Sequence, residues 1–325
     1  MDGYRPVDST LRRPAPSRTL SCMGLDELLL TPFTARDAAH HGVSRHQLGR
    51  LCRNRDVIRM LYGVYGSSHL DDSLSTRAAA VALVLPPGAV LCRRTAAWIR
   101  GVDLRRPGEP PLPVEVLVCA GTQPPRRIGV IAHQSAVPDD DVELVGGLPA
   151  TAGLRTAVDL ARFRSRTEAI VALDALAHAG ICRLDDVAAR APGLRGRRGV
   201  RQLTDVIPLA DRRSESPMET RTRILILDAG LPTPEVQYEV VDQWGQVIAR
   251  LDLAYPLRRL GLEYDGRIAH TASSAFDRDR QRQNELLAGG WVLLRFVARD
   301  VLGRPQYVVR QIESFLGAQP GSRSA

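Results

Sequence analysis

The sequence contains no lysine: all 44 of its basic residues are arginine, against 36 acidic residues. The absence of lysine excludes a P-loop lysine, a Schiff-base lysine and a lysine general base. Arginine stays protonated at physiological pH, so it does not replace lysine as a base. The arginine-rich composition is typical of a GC-rich bacterial genome and by itself indicates no function.

Long apolar runs are also missing. The longest, Ala78–Cys92, is interrupted by a Pro-Pro-Gly turn and is shorter than the roughly 20 residues that cross a bilayer. The N-terminus has no apolar segment of a secretion signal. The five cysteines are odd in number and scattered, without the spacing of a zinc site, which favours reduced thiols. We therefore expect a cytoplasmic protein that does not contact a membrane.

The positive charge is unevenly distributed. Residues 1–213 contain 30 arginines and 22 acidic residues, a net charge of +8, whereas residues 214–325 contain 14 of each. A basic region joined to a neutral one indicates a polyanion-binding part attached to a part with another role. The alternative is that the charge only keeps the protein soluble.

The N-terminal region has the order of elements of a DNA-binding module. Residues 1–23 are rich in proline, serine and arginine and predict a disordered leader. Within residues 24–70, two short helices precede a Ser44-capped helix at Arg45–Asn54 and a hairpin at Val57–Tyr65. This order predicts a winged helix-turn-helix.

The Ser44-capped helix carries the candidate DNA contacts Arg45, Gln47, Arg50 and Arg53. Arginine and glutamine make the phosphate and base-edge contacts of a recognition helix in a major groove. DNA is therefore the expected partner. Winged helices also bind proteins, and arginine is the usual surface cation of this chain, so a protein-binding role is the alternative.

Residues 71–213 predict a mixed α/β region in which no motif indicates a function. Residues 193–201 are basic and punctuated by glycine, which predicts a connector. The predicted helices are Thr76–Leu85, Cys92–Arg100, Thr151–Phe163, Thr167–Ala179 and Leu184–Ala191, and the predicted strands are Pro113–Ala120 and Arg127–Gln134.

Residues 214–316 predict an αβββαβα sandwich around a mixed sheet, followed by a tail at 317–325. In the predicted strands Leu251 and Leu253 share one face and Asp252 the other, while Glu263 and Asp265 share a face by the two-residue period. If these strands are neighbours, the three acids meet. Crowded carboxylates repel each other unless a cation neutralises them, and Mg²⁺ or Mn²⁺ suits such oxygen ligands.

Five segments in this order resemble the Vsr-like (very short patch repair endonuclease-like) bacterial domain of unknown function, in the PD-(D/E)XK nuclease superfamily. The resemblance implies a restriction-endonuclease-like fold and metal-dependent DNA cleavage. Residues 24–66 resemble the N-terminal domain of AbiEi-type antitoxins, which implies a transcriptional regulator with a cognate toxin or a homodimer as partner. The five segments are Ser216–Glu219, Arg250–Pro256, Leu262–Gly266, Asp277–Asn284 and Gly290–Phe296.

The nuclease resemblance assigns roles to individual residues. Asp252 and Glu263 match the metal-binding acids, and Glu219 matches the acid of the first helix. Asp265 stands where the superfamily has its lysine, and His270 lies near the histidines of related sequences. Each has a simpler interpretation: Glu219 as part of a capping box, Asp265 as part of an Asp-Gly turn, and His270 as a loop residue.

Arg278 and Arg282, on the helix that follows, are candidates for binding phosphate, or else lie on a solvated helix face. Two hypotheses follow for the whole chain. The first is a Mg²⁺-dependent endodeoxyribonuclease delivered to DNA by the winged helix. The alternative is an AbiEi-type antitoxin and transcriptional regulator whose nuclease-like domain is catalytically degenerate.

Overall fold

The structure is a computed structural model that describes residues 26–118, 128–266 and 273–317, with the backbone alone for 273–279. The predicted leader at 1–23 and the residues after Gly317 lie outside these ranges. Within them the protein is a mixed α/β molecule with three sheets. No helix of the described residues has the length and apolar character needed to span a bilayer.

The first unit contains a short helical segment at residues 26–28, helices α1 and α2, and a three-stranded sheet in the order β1-β3-β2, whose strands pair antiparallel. Leu28, Phe33, Ala38 and Leu48 are the centre of its small core. Its elements are β1 (Phe33–Thr34), α1 (Ala35–His40), α2 (Arg45–Asn54), β2 (Val57–Leu61) and β3 (Val64–Ser67).

The start of α2 is set by its sequence, as predicted. The Ser44 hydroxyl accepts a hydrogen bond from the Gln47 amide at 3.2 Å, and the Gln47 side-chain oxygen accepts one from the Ser44 amide at 2.8 Å. These reciprocal bonds form a capping box that satisfies two amides the helix leaves free. The helix ends at Arg55, whose φ of 66° is left-handed.

The middle unit has a five-stranded mixed sheet in the order β6-β5-β4-β8-β7. Helices α3 and α4 pack on it around Val81, Ile99 and Val116, and four further helices form a second core around Leu160, Ile170 and Leu173. The elements are α3 (Leu74–Ala82), β4 (Val90–Leu91), α4 (Arg93–Ile99), β5 (Val114–Val118), β6 (Val130–Gln134), β7 (Val142–Val145), β8 (Leu148–Thr151), α5 (Gly153–Phe163), α6 (Arg166–His178), α7 (Leu184–Arg190) and α8 (Val200–Val206).

Three features of this unit differ from the sequence prediction. The hairpin β7–β8 and the short β4 were missed, because strands of two to four residues have too few positions for a pattern. Thr151 ends a strand rather than beginning a helix. The predicted connector at 193–201 is also wrong at both ends, since a 3₁₀ turn covers Pro192–Leu194 and α8 begins at Val200.

The C-terminal unit follows the predicted order of helices and strands, with one extra helix, α11, before the last. Its sheet has the order β12-β11-β10-β9, with β11 and β12 parallel and the other neighbours antiparallel. The elements are α9 (Pro217–Asp228), β9 (Glu235–Val241), β10 (Val247–Tyr255), β11 (Leu260–Tyr264), α10 (Ser273–Ala288), β12 (Val292–Phe296), α11 (Ala298–Gly303) and α12 (Pro305–Gly317).

Helix α9 belongs to two cores at once. Met218 and Ile226 pack in the C-terminal core with Leu253 and Leu262, while Ile224 is buried among the helices of the middle unit. Apolar side chains on two sides of one helix require burial on both sides. The middle and C-terminal units are therefore joined by a shared helix and not only by a linker.

Candidate functional site

The exposed face of α2 and the hairpin after it form a basic surface, defined here by Arg45, Arg50, Arg53, Arg55 and Arg59. All five residues are exposed. The stretch from the first to the last of them contains a single acidic residue. None of the ion pairs formed within the described ranges involves any of the five. Their charge is therefore available to an external anion.

Several arginines of the middle unit are paired instead. In the middle unit, Arg94 pairs with Glu109 at 2.8 Å, and Arg155 pairs with Asp141 at 2.8 Å. In each of these pairs, the guanidinium charge is neutralised by a carboxylate of the same protein. The five arginines of the basic surface differ from these paired arginines in having no ion-pair partner among the described residues, and Arg59 lies 5.8 Å from the centre of the Tyr65 ring.

Gln47, predicted to contact DNA, is half-buried and holds the capping box through its side-chain oxygen. Its side-chain NH₂ group can still donate a hydrogen bond to a group outside the protein. The structure thus gives Gln47 a role at the start of the helix that the DNA-contact prediction did not include.

The predicted carboxylate site is built from α9, β10 and β11. Glu219 is buried, and its Oε2 accepts hydrogen bonds from the Glu215 amide at 2.9 Å and from Gln237 Nε2 at 2.8 Å. Its own amide donates to the Ser216 hydroxyl at 3.2 Å. Ser216 caps the helix as predicted, but the Glu219 carboxylate reaches Glu215 instead of closing a capping box.

Asp252 lies in β10, and its Oδ2 accepts a hydrogen bond from the Tyr264 amide at 2.8 Å. Burial raises the pKa of Asp252 to about 7, and the nearby charges of Glu219 and Glu263 act in the same direction. Glu219 and Glu263 therefore lie near enough for their charges to act on Asp252. The sequence predicted a different trio, Asp252, Glu263 and Asp265, and Asp265 is not among the charges that raise this pKa.

Glu263 is neutralised by two arginines. Arg282 of α10 places Nη1 2.6 Å from Oε1 and Nη2 3.0 Å from Oε2, and Arg295 of β12 places Nε 3.2 Å from Oε2. Bidentate arginine–carboxylate pairs are among the stronger ion pairs in proteins. Arg282, which was predicted to contact phosphate, therefore forms an ion pair with Glu263, which was predicted to bind the metal ion.

The other predicted residues are less defined. Asp265 is half-buried and its amide donates to the Phe296 carbonyl at 2.8 Å. His270 lies outside the described residues, as does the side chain of Arg278. Their predicted roles stay predictions.

Beside Asp252, the regular alternation of side chains between the two faces of the sheet is interrupted, which the sequence did not predict. Leu251 packs with Tyr238 and Trp291, whereas Leu253 packs in the opposite core. The prediction that Leu251 and Leu253 share a face is wrong. Gln237, the residue of β9 that the register sets opposite Asp252, has a left-handed φ of 53°. A local irregularity of this kind breaks the two-residue period and re-aims a side chain.

A Mg²⁺ ion does not fit the described donors. Among the residues that the structure describes, no group of three or more His, Cys, Asp or Glu side chains is arranged to hold a metal ion. Glu263 is occupied by two guanidiniums, and Glu219 accepts two hydrogen bonds. Mg²⁺ requires oxygen donors that are free to surround it in a nearly octahedral arrangement, and these two carboxylates are already engaged by other groups.

Part of the middle unit is similar to a known protein family. Residues 89–209 match the family described as the AbiEi antitoxin C-terminal domain. The chain is also 32% identical over 274 residues to the uncharacterized proteins Rv2248 and MT2308 of two Mycobacterium tuberculosis strains, H37Rv and CDC 1551, covering 84% of this chain and 97% of each relative. The chain belongs to the same family as these mycobacterial proteins.

The AbiEi match falls where sequence analysis found no functional motif. The resemblance to AbiEi-type antitoxins came from residues 24–66, yet the matched residues are 89–209.

Proposed function

We propose that this protein is an AbiEi-type antitoxin that binds DNA as a transcriptional regulator. The observation that carries the proposal is the basic surface of α2 and its hairpin, whose five exposed arginines have no ion-pair partner among the described residues. This surface lies on the N-terminal side of the residues that match the antitoxin family, 89–209.

The arrangement of the first unit supports a winged-helix interpretation. Helix α1, a turn with left-handed Gly42, and helix α2 are followed by the β2–β3 hairpin. In such modules the second helix of the pair lies in the major groove and the hairpin contacts the adjacent backbone. Arg45, Arg50 and Arg53 would then contact DNA from α2, and Arg59 from the hairpin.

In this proposal the C-terminal unit is a scaffold without catalytic activity, open to a toxin or a second copy. The support is chemical: the Glu263 carboxylate is neutralised by Arg282 and Arg295, and burial together with crowding raises the pKa of Asp252 to about 7. One observation favours the endonuclease hypothesis. The charge of Glu219, on α9, contributes to the raised pKa of Asp252, on β10.

DNA binding by the full chain tests the proposal. We would measure, by fluorescence anisotropy, binding to labelled duplexes tiled across the region upstream of its own gene. The triple variant R45A/R50A/R53A should weaken binding at least a hundredfold, because each lost phosphate contact removes electrostatic affinity. The control R195A/R201A/R310A removes the same charge from exposed positions elsewhere and should bind nearly as the unmodified protein does.

Equal weakening in both variants would mean that only net charge matters and would refute the proposed surface. Plasmid incubation with Mg²⁺ or Mn²⁺ tests the scaffold assignment separately. We expect no cleavage. Cleavage that disappears in both D252A and E263A would establish the endonuclease hypothesis in place of the scaffold.

A further inference from the structure

A cavity of about 580 Å³ opens in the middle unit, between the end of β6, helix α5 and the end of α7. Its volume lies within the range of small-molecule sites, roughly 300 to 1,000 Å³. It is separate from the basic surface and from the carboxylate site, and neither proposed role uses it.

Arginine dominates the polar lining of this cavity. Arg155 pairs with Asp141 and with Asp159, each at 2.8 Å, and Arg190 pairs with Asp141 at 3.1 Å. The cavity is thus lined by five guanidiniums and only two carboxylates. The five arginines are Arg93, Arg155, Arg162, Arg190 and Arg197.

Two of these guanidiniums share one aromatic ring. The guanidinium carbons of Arg93 and Arg162 each lie 4.6 Å from the centre of the Phe163 ring. Burial lowers the pKa of Arg162; Asp159 opposes this, while the charges of Arg155, Arg197 and Arg93 lower it further. Because these like charges repel one another, an anion bound in the cavity among them would be stabilised.

Arg93 is also held in an unfavourable conformation. It is the first residue of α4 and has a left-handed φ of 48°, a conformation that is strained for a residue with a side chain. Its Nε is buried and has no hydrogen-bond partner among the described residues, while Nη1 lies 3.0 Å from His133 Nε2. Strain and an unsatisfied donor at the wall of a cavity favour a ligand there.

We propose that this cavity binds a phosphate ester, with the phosphate between Arg93 and Arg197. Arg162 donates from Nε and Nη2 to the Arg198 carbonyl at 3.0 and 2.6 Å, so it adds positive charge to the site without binding the phosphate directly. Guanidinium groups bind phosphate oxygens bidentately. Leu117, Val158 and the Phe163 ring provide an apolar wall beside the cations, which fits the base of a nucleotide. The phosphate ester is either a free mononucleotide or the backbone of bound DNA, and the concave apolar wall favours the mononucleotide.

Isothermal titration of the full chain with GMP, AMP and inorganic phosphate tests this site. Arg197 is exposed, so R197A should leave the fold intact while weakening nucleotide binding about tenfold, the effect of losing one charged hydrogen bond. R197E should weaken it further. The control R195A removes an exposed arginine two residues away that does not line the cavity, and it should bind normally.

Duplex DNA is the second ligand to be titrated in this experiment. Weaker duplex binding in R197A but not in R195A, with no mononucleotide binding, assigns the site to the DNA backbone. If the unmodified protein binds neither mononucleotide nor phosphate and R197A binds duplex normally, the proposed site is refuted. Because R197A retains the α2 arginines, this failure is distinguishable from failure of DNA binding through the basic surface.

Discussion

Arg221 of helix α9 donates from Nη2 to Oε2 of Glu168 on helix α6 at 2.8 Å, and both side chains are more than nine-tenths buried. The same Nη2 donates to the Leu104 carbonyl at 3.2 Å. This pair joins the first helix of the C-terminal unit to the middle unit across 53 positions of sequence. The charged side chains of Arg221 and Glu168 therefore lie beside the apolar core that contains Ile224.

Glu168→Gln should lower the free energy of unfolding by about 3 kcal/mol, because it leaves Arg221 as a buried charge without a counter-charge. Urea denaturation followed by circular dichroism measures the change. The matched control is Arg106→Ala, since Arg106 also pairs with Glu168 but is 51% exposed. Removing that exposed partner should cost no more than about 1 kcal/mol. Equal effects of the two substitutions would contradict the assignment of Arg221 as the main partner.

The same pair predicts a pH dependence. Burial raises the pKa of Glu168, but hydrogen bonds and charge from Arg221 and Arg106 outweigh burial and hold the pKa below its ordinary value of 4.5. The ionised carboxylate is thus favoured in the folded state. Its contribution is present above pH 4.5 and is lost as the pH falls through the lowered pKa.

Urea midpoints of the unmodified protein and of Glu168→Gln, measured from pH 7 to pH 3, test this sign. The difference between the two proteins should be constant above pH 5 and shrink below pH 4.5. A difference that persists unchanged to pH 3 would show that the carboxylate charge is not its source.

Ile224→Ala should destabilise the protein by about 2–5 kcal/mol, because it leaves a cavity among the helices of the middle unit. Ile224 is 1% exposed there, although it belongs to a helix of the C-terminal unit. Thermal unfolding should move to lower temperature for both units together. Leu257→Ala is the control, since Leu257 is 98% exposed and its loss should be nearly neutral. A shift confined to C-terminal probes would argue against a shared core.

Two glycines should respond oppositely to alanine. At Gly49, within α2, an added Cβ would lie 3.6 Å from Arg53 Nη1, an ordinary contact. Gly49→Ala should therefore stabilise the protein by about 0.5–1 kcal/mol. At Gly153 the Cβ would lie 2.3 Å from the Ile181 carbonyl oxygen, so Gly153→Ala should destabilise it by about 1–3 kcal/mol. Differential scanning calorimetry measures both, and the same sign for both would contradict the packing at Gly153.

Salt dependence reports how many arginines contact phosphate. If Arg50 makes one phosphate contact, Arg50→Ala should reduce the slope of log K against log salt by about 0.9. Anisotropy titrations between low and moderate salt give the slope. An unchanged slope with lower affinity would assign Arg50 to base contacts instead.

The sequence determined the local structure wherever a side chain acts on its own backbone. Ser44 and Ser216 cap their helices, and Asp252 and Glu263 lie in strands as predicted. Capping bonds span three residues, and an alternating pattern shows itself within one strand. These signals need no information from distant parts of the chain.

The candidate site was predicted only in part for the same reason. The acids Asp252 and Glu263 were found because they interrupt apolar strands. Their partners Arg282 and Arg295 are 19 and 32 residues from Glu263, and no local pattern assigns a guanidinium to a carboxylate at that distance. The left-handed Gln237 beside them also has no sequence signal, since glutamine gives no indication of positive φ.

The sequence by itself determined the helix starts capped by Ser44 and Ser216, the concentration of arginine in α2 and, apart from α11, the order of elements in the C-terminal unit. Tertiary structure decided how the arginines are used. Those of α2 remain exposed, Arg221 is buried on Glu168, and five others surround one cavity. The physical reason is that a charge is stabilised or left free by the groups that packing brings beside it, and those groups come from distant segments of the chain.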